Sequence, residues 1–135
     1  GFYFLAGDMT ALPAITVNLA ALPANACGMA VIEVSSADDC QDLSRPEGVD
    51  VVWLVTEQPG SRPDKLVEEA RAAALPLAET YAWVACEFSA MQALRAYLRD
   101  ECGLGPDQLY ISSYWKSGLT EDAHKLAKRE DAEAQ

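Results

Sequence analysis

The fold is decided by residues 2–22, FYFLAGDMTALPAITVNLAAL. The run Phe2 to Ala6 is continuously apolar, as in a strand buried on both faces of a parallel sheet. A turn is predicted next, where Gly7 permits positive φ and close backbone approach. A helix should follow with Thr10 as its cap and Pro13 in its first turn, because apolar residues then recur at helical spacing.

Four further strand signals alternate with helix signals. The predicted strands are Cys27–Val34, Val51–Val55, Tyr81–Ala85 and Leu109–Ser112. The predicted helices are Asp64–Ala74 and Phe88–Cys102, with loops over 35–50 and 56–63. This alternation favours parallel strands with right-handed crossovers. We therefore predict an α/β fold, a three-layer doubly wound parallel sheet of about five strands with its ligand site at the carboxyl ends of the strands.

Length and charge restrict the function classes. The 135 residues fit one domain. No apolar run approaches the roughly 20 residues that span a bilayer, and no signal peptide is evident, so we expect a cytoplasmic protein. The net charge of -11 argues against a nucleic-acid partner. It does not exclude a nucleotide, because such a site uses local backbone dipoles.

The cysteines and the single histidine form no metal-site pattern. The cysteines are widely spaced, without a CxxC pair: Cys27, Cys40, Cys86 and Cys102. Neither a zinc site nor disulfides are therefore expected. His124 lies beyond Gly118 in a charged segment, predicted as a surface helix or a frayed tail, and we expect no catalytic role for it.

The chain start predicts a fragment. It has no Met and enters a predicted buried strand almost at once, whereas a natural N-terminus usually has some slack. We expect a piece from the C-terminal part of a longer protein. Within it we predict a globular unit over 1–118 and a charged helix or tail over 119–135.

The first strand-to-helix junction has the chemistry of a phosphate cradle. Gly7 permits close approach, the helix start offers free N–H groups and the positive end of its dipole, and Thr10 adds a hydroxyl donor. No GxGxxG is present. From the local sequence alone, an ordinary strand-to-helix turn fits better than a phosphate cradle, and both interpretations stay open.

Three motifs occur in order along the chain: AGDMTALPAI at 6–15, YAWVACEFSAMQALRAYL at 81–98 and ISSYWKSG at 111–118. This series resembles the C-terminal domain of siderophore-interacting proteins, which are flavin-dependent ferric-siderophore reductases of the ferredoxin-reductase superfamily. That family carries a GDET-ALPAI turn, a YxWxAGE strand end and a terminal YW-basic-x-G motif. The resemblance implies a domain that binds NADPH or NADH and follows an FAD-binding barrel, which this chain lacks.

The resemblance also implies roles for residues near the first and fourth strands. Gly7, Asp8 and Thr10 would line the pyrophosphate turn, and Ala11 would open the helix. Glu87 would lie on the nicotinamide side of the cleft.

The terminal motif implies a segment facing the flavin or the nucleotide, formed by Tyr114, Trp115 and Lys116. Lys116 either neutralises a phosphate or an anionic ferric chelate, or is a surface lysine whose stem lies on Trp115.

Two positions depart from the family pattern. Cys86 replaces the glycine of the AGE motif; it either sits beside the nicotinamide pocket or packs as a small buried thiol. Thr56 and Glu57 follow the third strand, where NADPH-using relatives often supply an arginine for the 2′-phosphate. A carboxylate there would repel that phosphate and could instead accept hydrogen bonds from a ribose diol. Alternatively, Arg62 compensates for its charge, or Glu57 is simply solvated.

Two functions follow from these observations. The first is the nucleotide domain of a ferric-siderophore reductase, which would position NAD(P)H for hydride transfer to FAD and would be inactive without its flavin domain. The second is a binding module of the same fold without nucleotide affinity. The intact first turn and the YWKSG motif favour the first, whereas the acidic charge, Glu57 and Cys86 favour the second.

Overall fold

The strands in the computed structural model are β1 (Phe2–Asp8), β2 (Cys27–Val34), β3 (Val49–Val55), β4 (Thr80–Glu87) and β5 (Leu109–Trp115). All pair in parallel, in the order β3-β2-β1-β4-β5, which confirms the predicted α/β fold. The structure describes residues 1–58 and 60–134. Pro59, in the predicted loop after the third strand, and Gln135, at the end of the predicted tail, lie outside the described residues.

Helices cover both faces of the sheet. They are α1 (Leu12–Ala21), α2 (Lys65–Ala73), α3 (Phe88–Arg95) and α4 (Glu121–Ala134), and α3 continues as a π-helical segment, Ala96–Glu101. One core cluster packs α1 and the loop residue Leu43 on one face, and the other cluster packs α2, α3 and α4 on the opposite face. Across 1–58 and 60–134, every helix falls short of the length and apolarity that a bilayer crossing demands.

The end of β1 differs from the prediction. Gly7 and Asp8 belong to the strand rather than to a turn, and the φ of Gly7 is not positive. A Cβ at Gly7 would lie 2.6 Å from the Ala85 carbonyl oxygen and 2.8 Å from Cδ1 of Ile15. Glycine is needed here because β1 packs tightly between β4 and α1. Gly7 therefore shapes the strand and leaves the turn to the residues after it.

The predicted helix cap is also wrong. The Asp8 carboxylate, not Thr10, caps the one-turn 3-10 segment Met9–Ala11 by accepting from the Thr10 N–H at 3.0 Å. Helix α1 starts only at Leu12, with Ala11 as its N-cap residue. A carboxylate caps well because it accepts from N–H groups that have no partner inside the helix.

The segment beyond Gly118 is a helix that docks on the domain. Asp131 of α4 forms two hydrogen bonds with Arg95 of α3, each of 2.8 Å, and both side chains are largely buried. His124, placed by the sequence in a charged tail, is only 3% exposed. Contacts from α3 and the end of β5 therefore hold α4 in place.

Candidate functional site

A cavity lies at the carboxyl edge of the sheet, where doubly wound folds bind ligands. The chain moves from β1 towards β2 and β3, and later crosses to β4 and β5, so β1 and β4 flank the switch point. The cavity measures about 260 Å³ beside this point. Its lining residues come from the ends of three strands and the turn after β1: Asp8, Met9, Thr10, Glu33 and Trp115.

Asp8 links the strand ends around this cavity. Its Oδ1 accepts from the Thr10 N–H and from the Thr10 hydroxyl. Its Oδ2 accepts from the Glu87 N–H at 2.9 Å and from the Trp115 indole N–H at 2.8 Å. The side chain is 3% exposed. These bonds join β1, β4 and β5, so Asp8 organises the wall of the cavity.

A β-bulge brings Trp115 to Asp8. Ser113 pairs with Cys86, but the next pair joins Trp115 to Glu87, so Tyr114 is the extra residue. Bulges commonly redirect a side chain at a strand end. Gly60 packs against the indole: its φ is +84°, and a Cβ there would lie 3.0 Å from Cη2 of Trp115. The loop after β3 therefore supports Trp115 from behind.

Glu33 contributes a second buried carboxylate to the cavity. It is 5% exposed and stands one residue before the end of β2. Burial raises the pKa of Glu33 from 4.5, the nearby Thr56 hydroxyl opposes the rise, and the charge of Asp8 adds to it. Among the described residues, that hydroxyl has no hydrogen bond of ordinary geometry. Glu33 therefore places a second carboxyl group on the cavity wall, beside Thr56 and the Gly60 backbone.

Glu87 is occupied by the protein itself. Its Oε1 accepts from the Ser89 and Ala90 N–H groups at 2.9 and 3.2 Å, which caps α3. Its Oε2 accepts from the Ser117 N–H at 3.3 Å. With 1% of its surface exposed, the side chain does not open into the cavity, although its N–H reaches Asp8. Glu87 caps a helix and ties down the loop after β5.

Cys86 lies in the core on the face of α2, α3 and α4. It is fully buried, and it does not line the cavity. Burial, followed by the charges of Asp8, Glu87 and Glu33, raises the pKa of the thiol well above 9.0. The thiol therefore stays protonated at neutral pH. These properties support the packing interpretation; a place beside a nicotinamide stays a prediction.

The remaining predicted site residues lie around the cavity rather than in it. Tyr114 packs with the core cluster on the α1 face. The Lys116 ammonium lies 4.5 Å from the centroid of the Phe88 ring, so it points to the start of α3. Ala11 is fully buried beneath the turn after β1.

The end of β3 carries a solvated carboxylate. Glu57 is exposed. The Arg62 side chain forms hydrogen bonds of 3.2 and 3.1 Å with Asp64 and lies 4.0 Å from Glu68. The Arg62 guanidinium, the candidate to compensate for Glu57, is therefore engaged by carboxylates of its own segment.

Helix α1 begins beside the cavity without a side-chain cap at its own N-cap residue, since the Asp8 carboxylate caps the 3-10 segment that leads into it. Ala11 forms no side-chain cap, and the first turn of the helix contains no acidic residue. The Leu12 N–H donates to the Met9 carbonyl oxygen and Pro13 has no N–H, so what this helix start offers an anion is the positive end of its dipole. The two sides of the site thus differ: carboxylates line the cavity, and a positive helix end adjoins it.

Sequence reasoning missed Glu33, Met9, Ser113 and His124. For Glu33 a signal existed, since a lone glutamate near the end of the apolar strand CGMAVIEV would be buried or functional. Met9, 40% exposed, carried no such signal. The hydrogen bond between Ser113 and His124 depends on the docking of α4, which no local pattern indicates.

Comparison with known proteins assigns a family to most of the chain. The family model described as siderophore-interacting protein matches residues 2–118. Ferric vibriobactin reductase ViuB of Vibrio cholerae is 33% identical over 124 residues, covering 91% of this chain and 46% of the reductase. An uncharacterised protein of Mycobacterium tuberculosis is 37% identical over 147 residues, covering 99% of this chain and 51% of the relative.

Solved structures agree with this assignment. The siderophore-interacting protein SipS of Aeromonas hydrophila superposes with a TM-score of 0.89 at 31% identity, covering 98% of this chain and 52% of SipS. A siderophore utilisation protein of T. fusca gives 0.83 at 28% identity, covering 92% of this chain and 48% of that protein. The chain spans about half the length of the curated relatives it matches.

Proposed function

The chain belongs to the siderophore-interacting protein family, and from this we propose that it is the pyridine-nucleotide-binding part of a cytoplasmic, flavin-dependent ferric-siderophore reductase. Its partners would be NADH or NADPH, an FAD-binding domain and, through the whole enzyme, a ferric siderophore. ViuB, a relative of this chain, is named for the reduction of ferric vibriobactin.

The observation that carries the proposal is the cavity beside the start of α1, at the switch point of the sheet. Carboxylates repel phosphates, so the pyrophosphate would bind towards the positive end of the α1 dipole, near Thr10. The cavity itself suits an uncharged group rich in donors, such as a carboxamide or a ribose. Asp8 and Glu33 would accept from that group, and the Trp115 ring would give it a flat wall.

The chain's own residues would act by positioning. Bound nicotinamide supplies a hydride, and a flavin passes single electrons on to ferric iron, which is the substrate. Trp115, held by Asp8, would fix one side of the bound ring and exclude water there. This hydride transfer requires no acid-base pair from the protein. Expressed by itself, this 135-residue chain should reduce no ferric siderophore unless a flavoprotein is added.

The end of β3 supports NADH as the better ligand. Glu57 is exposed there, and Arg62 is paired with Asp64. A 2′-phosphate on the adenosine ribose would meet a carboxylate without a free guanidinium to balance it. We expect NADH to bind at least as tightly as NADPH.

A calorimetric titration with NADH and NADPH tests the proposal. We expect heat with NADH in the wild type and a dissociation constant about threefold to tenfold higher in Trp115→Phe, since this change removes the hydrogen bond to Asp8. Trp53→Phe is the matched control, because Trp53 packs on the core away from the cavity and its replacement should leave binding unchanged. Gly7→Val is unsuitable as a control, since its side chain would collide with β4.

A binding module without nucleotide affinity is the second candidate, and the carboxylates favour it. Asp8, Glu33 and Glu87 are all buried at the carboxyl edge of the sheet. Absence of heat with both nucleotides at millimolar concentration, in a folded chain, would support this candidate and contradict the first.

A further inference from the structure

A series of hydrogen bonds connects α4 to the cavity. His124 Nε2 lies 2.7 Å from the Ser113 hydroxyl oxygen, and that hydroxyl donates to the Trp115 carbonyl oxygen at 3.2 Å. The Trp115 indole N–H then donates to Asp8. Ser113 is 2% exposed and His124 3%, so water does not compete for these groups.

The Ser113 bond spans the bulge at Tyr114. Ser113 and Trp115 flank the extra residue, and the hydroxyl of the first reaches the carbonyl of the second. The bond therefore braces the backbone conformation that directs the indole to Asp8. A hydroxyl rotates freely unless a second partner fixes it, and His124 is that partner.

Proton counting sets the form of His124. With the hydroxyl proton of Ser113 directed to the Trp115 carbonyl oxygen, as we assign it, Ser113 accepts from Nε2–H of His124. Nδ1 then carries no proton, and it is buried without a partner among the described residues. Protonation there would create a buried N–H with no acceptor.

The charges around His124 agree with a neutral ring. Burial lowers the pKa of His124 from 6.5; Lys128 on α4 and Lys116 after β5 lower it further, while Glu121 on α4 and Glu87 at the end of β4 oppose them. A group with a lowered folded pKa contributes stability above pH 6.5, and this contribution is lost as the pH falls through the folded pKa.

We propose that His124 is a positioning residue that, as the neutral Nε2–H form, holds the bulge at Tyr114 and thereby the Trp115 indole against Asp8. The proposal rests on the proposed function only in that the indole wall would serve a nicotinamide nucleotide. The geometry of the hydrogen bonds is independent of any ligand.

The indole N–H signal of Trp115 in a ¹⁵N-labelled full chain tests the geometry directly. Trp115→Phe identifies this signal among the three tryptophans. We expect the wild-type signal to move as the pH falls from about 8 to about 5. His124→Gln should keep the neutral-pH signal, because the glutamine amide can donate to Ser113, and should lack the movement seen below pH 6.5 in the wild type. His124→Phe should displace the signal at every pH.

Asp131→Asn is the matched control, because it weakens the ion pair between α4 and Arg95 without touching Ser113. The indole should not change in this variant. A His124→Phe signal that coincides with the wild type, or an equal displacement in Asp131→Asn, would overturn the proposal. If His124→Phe does not fold, the pH profile of His124→Gln decides, and a wild-type movement in it would overturn the proposal.

Titration with NADH separates this proposal from the proposed function. His124→Phe should raise the NADH dissociation constant about threefold to tenfold, and His124→Gln should stay within about twofold of the wild type. If neither the wild type nor any variant binds NADH, but the indole signals behave as expected, the proposed function fails and the positioning role stands.

Discussion

Helices α1 and α3 both start at the carboxyl edge of the sheet, yet their N-termini differ. At α3 the Glu87 carboxylate accepts from two N–H groups of the first turn and is 1% exposed. At α1 the N-cap residue is Ala11, which provides no cap, and the first turn carries no acid. The cap of α3 thus lies directly at its first turn, whereas the Asp8 cap lies one 3-10 turn before α1 and lines the cavity.

The difference shows how one edge of a sheet can combine stability with binding. Glu87 accepts hydrogen bonds from the N–H groups at the start of α3 and from Ser117, so these donors are not available to a ligand. The α1 side retains the positive end of a helix dipole for an anion. Trp115 lies between the two sides, and its indole N–H donates a hydrogen bond to Asp8.

Removing the cap of α3 should have the largest effect. Glu87→Ala leaves the Ser89, Ala90 and Ser117 N–H groups without their acceptor, and we expect a loss of about 2–3 kcal/mol in the free energy of unfolding in urea. Glu57→Ala, which removes an exposed carboxylate, is the control and should change stability by less than about 0.5 kcal/mol. Equal losses in the two variants would show that α3 does not depend on its cap.

Placing a carboxylate at the start of α1 should have a smaller effect, and on binding rather than on folding. Pro13 is exposed in the first turn, so Pro13→Glu adds a negative charge where we place the pyrophosphate. We expect about fivefold weaker NADH binding by calorimetry, since a charge at a helix end is worth about 1 kcal/mol. Pro13→Gln makes the same backbone change without the charge. If both variants bind NADH equally well, the phosphates do not lie at α1.

The smallest effect is expected from Glu33, the second buried carboxyl group of the cavity. Burial raises its folded pKa above 4.5, so the protonated form favours folding and stability declines as the pH rises through that pKa. Glu33→Gln stays neutral, and its advantage in unfolding free energy over the wild type should grow from pH 4.5 towards neutrality. Urea unfolding across this range measures it, with the exposed Glu47→Gln as control. A constant difference at all pH values would contradict the raised pKa.

Particular elements show how far the sequence leads. The strand Cys27–Val34 was predicted with its observed bounds, because a long apolar run has one stable environment, the interior of a sheet. The end of β1 was predicted two residues short, since Gly7 resembled a turn residue while its role is to allow close packing. The burial of His124 was not predicted, because a charged helix looks solvent-exposed until its docking partners are known.

The sequence by itself determined the α/β class, the order of the elements and, through three motifs, the family. These properties follow from local periodicity and from short segments read in order. Only the tertiary structure decided which carboxylates cap the helix starts, the bulge at Tyr114 and the contact of Trp115 with Asp8. Those two residues are 107 positions apart. A contact of this kind depends on strand register and packing across the whole sheet, which no local pattern specifies.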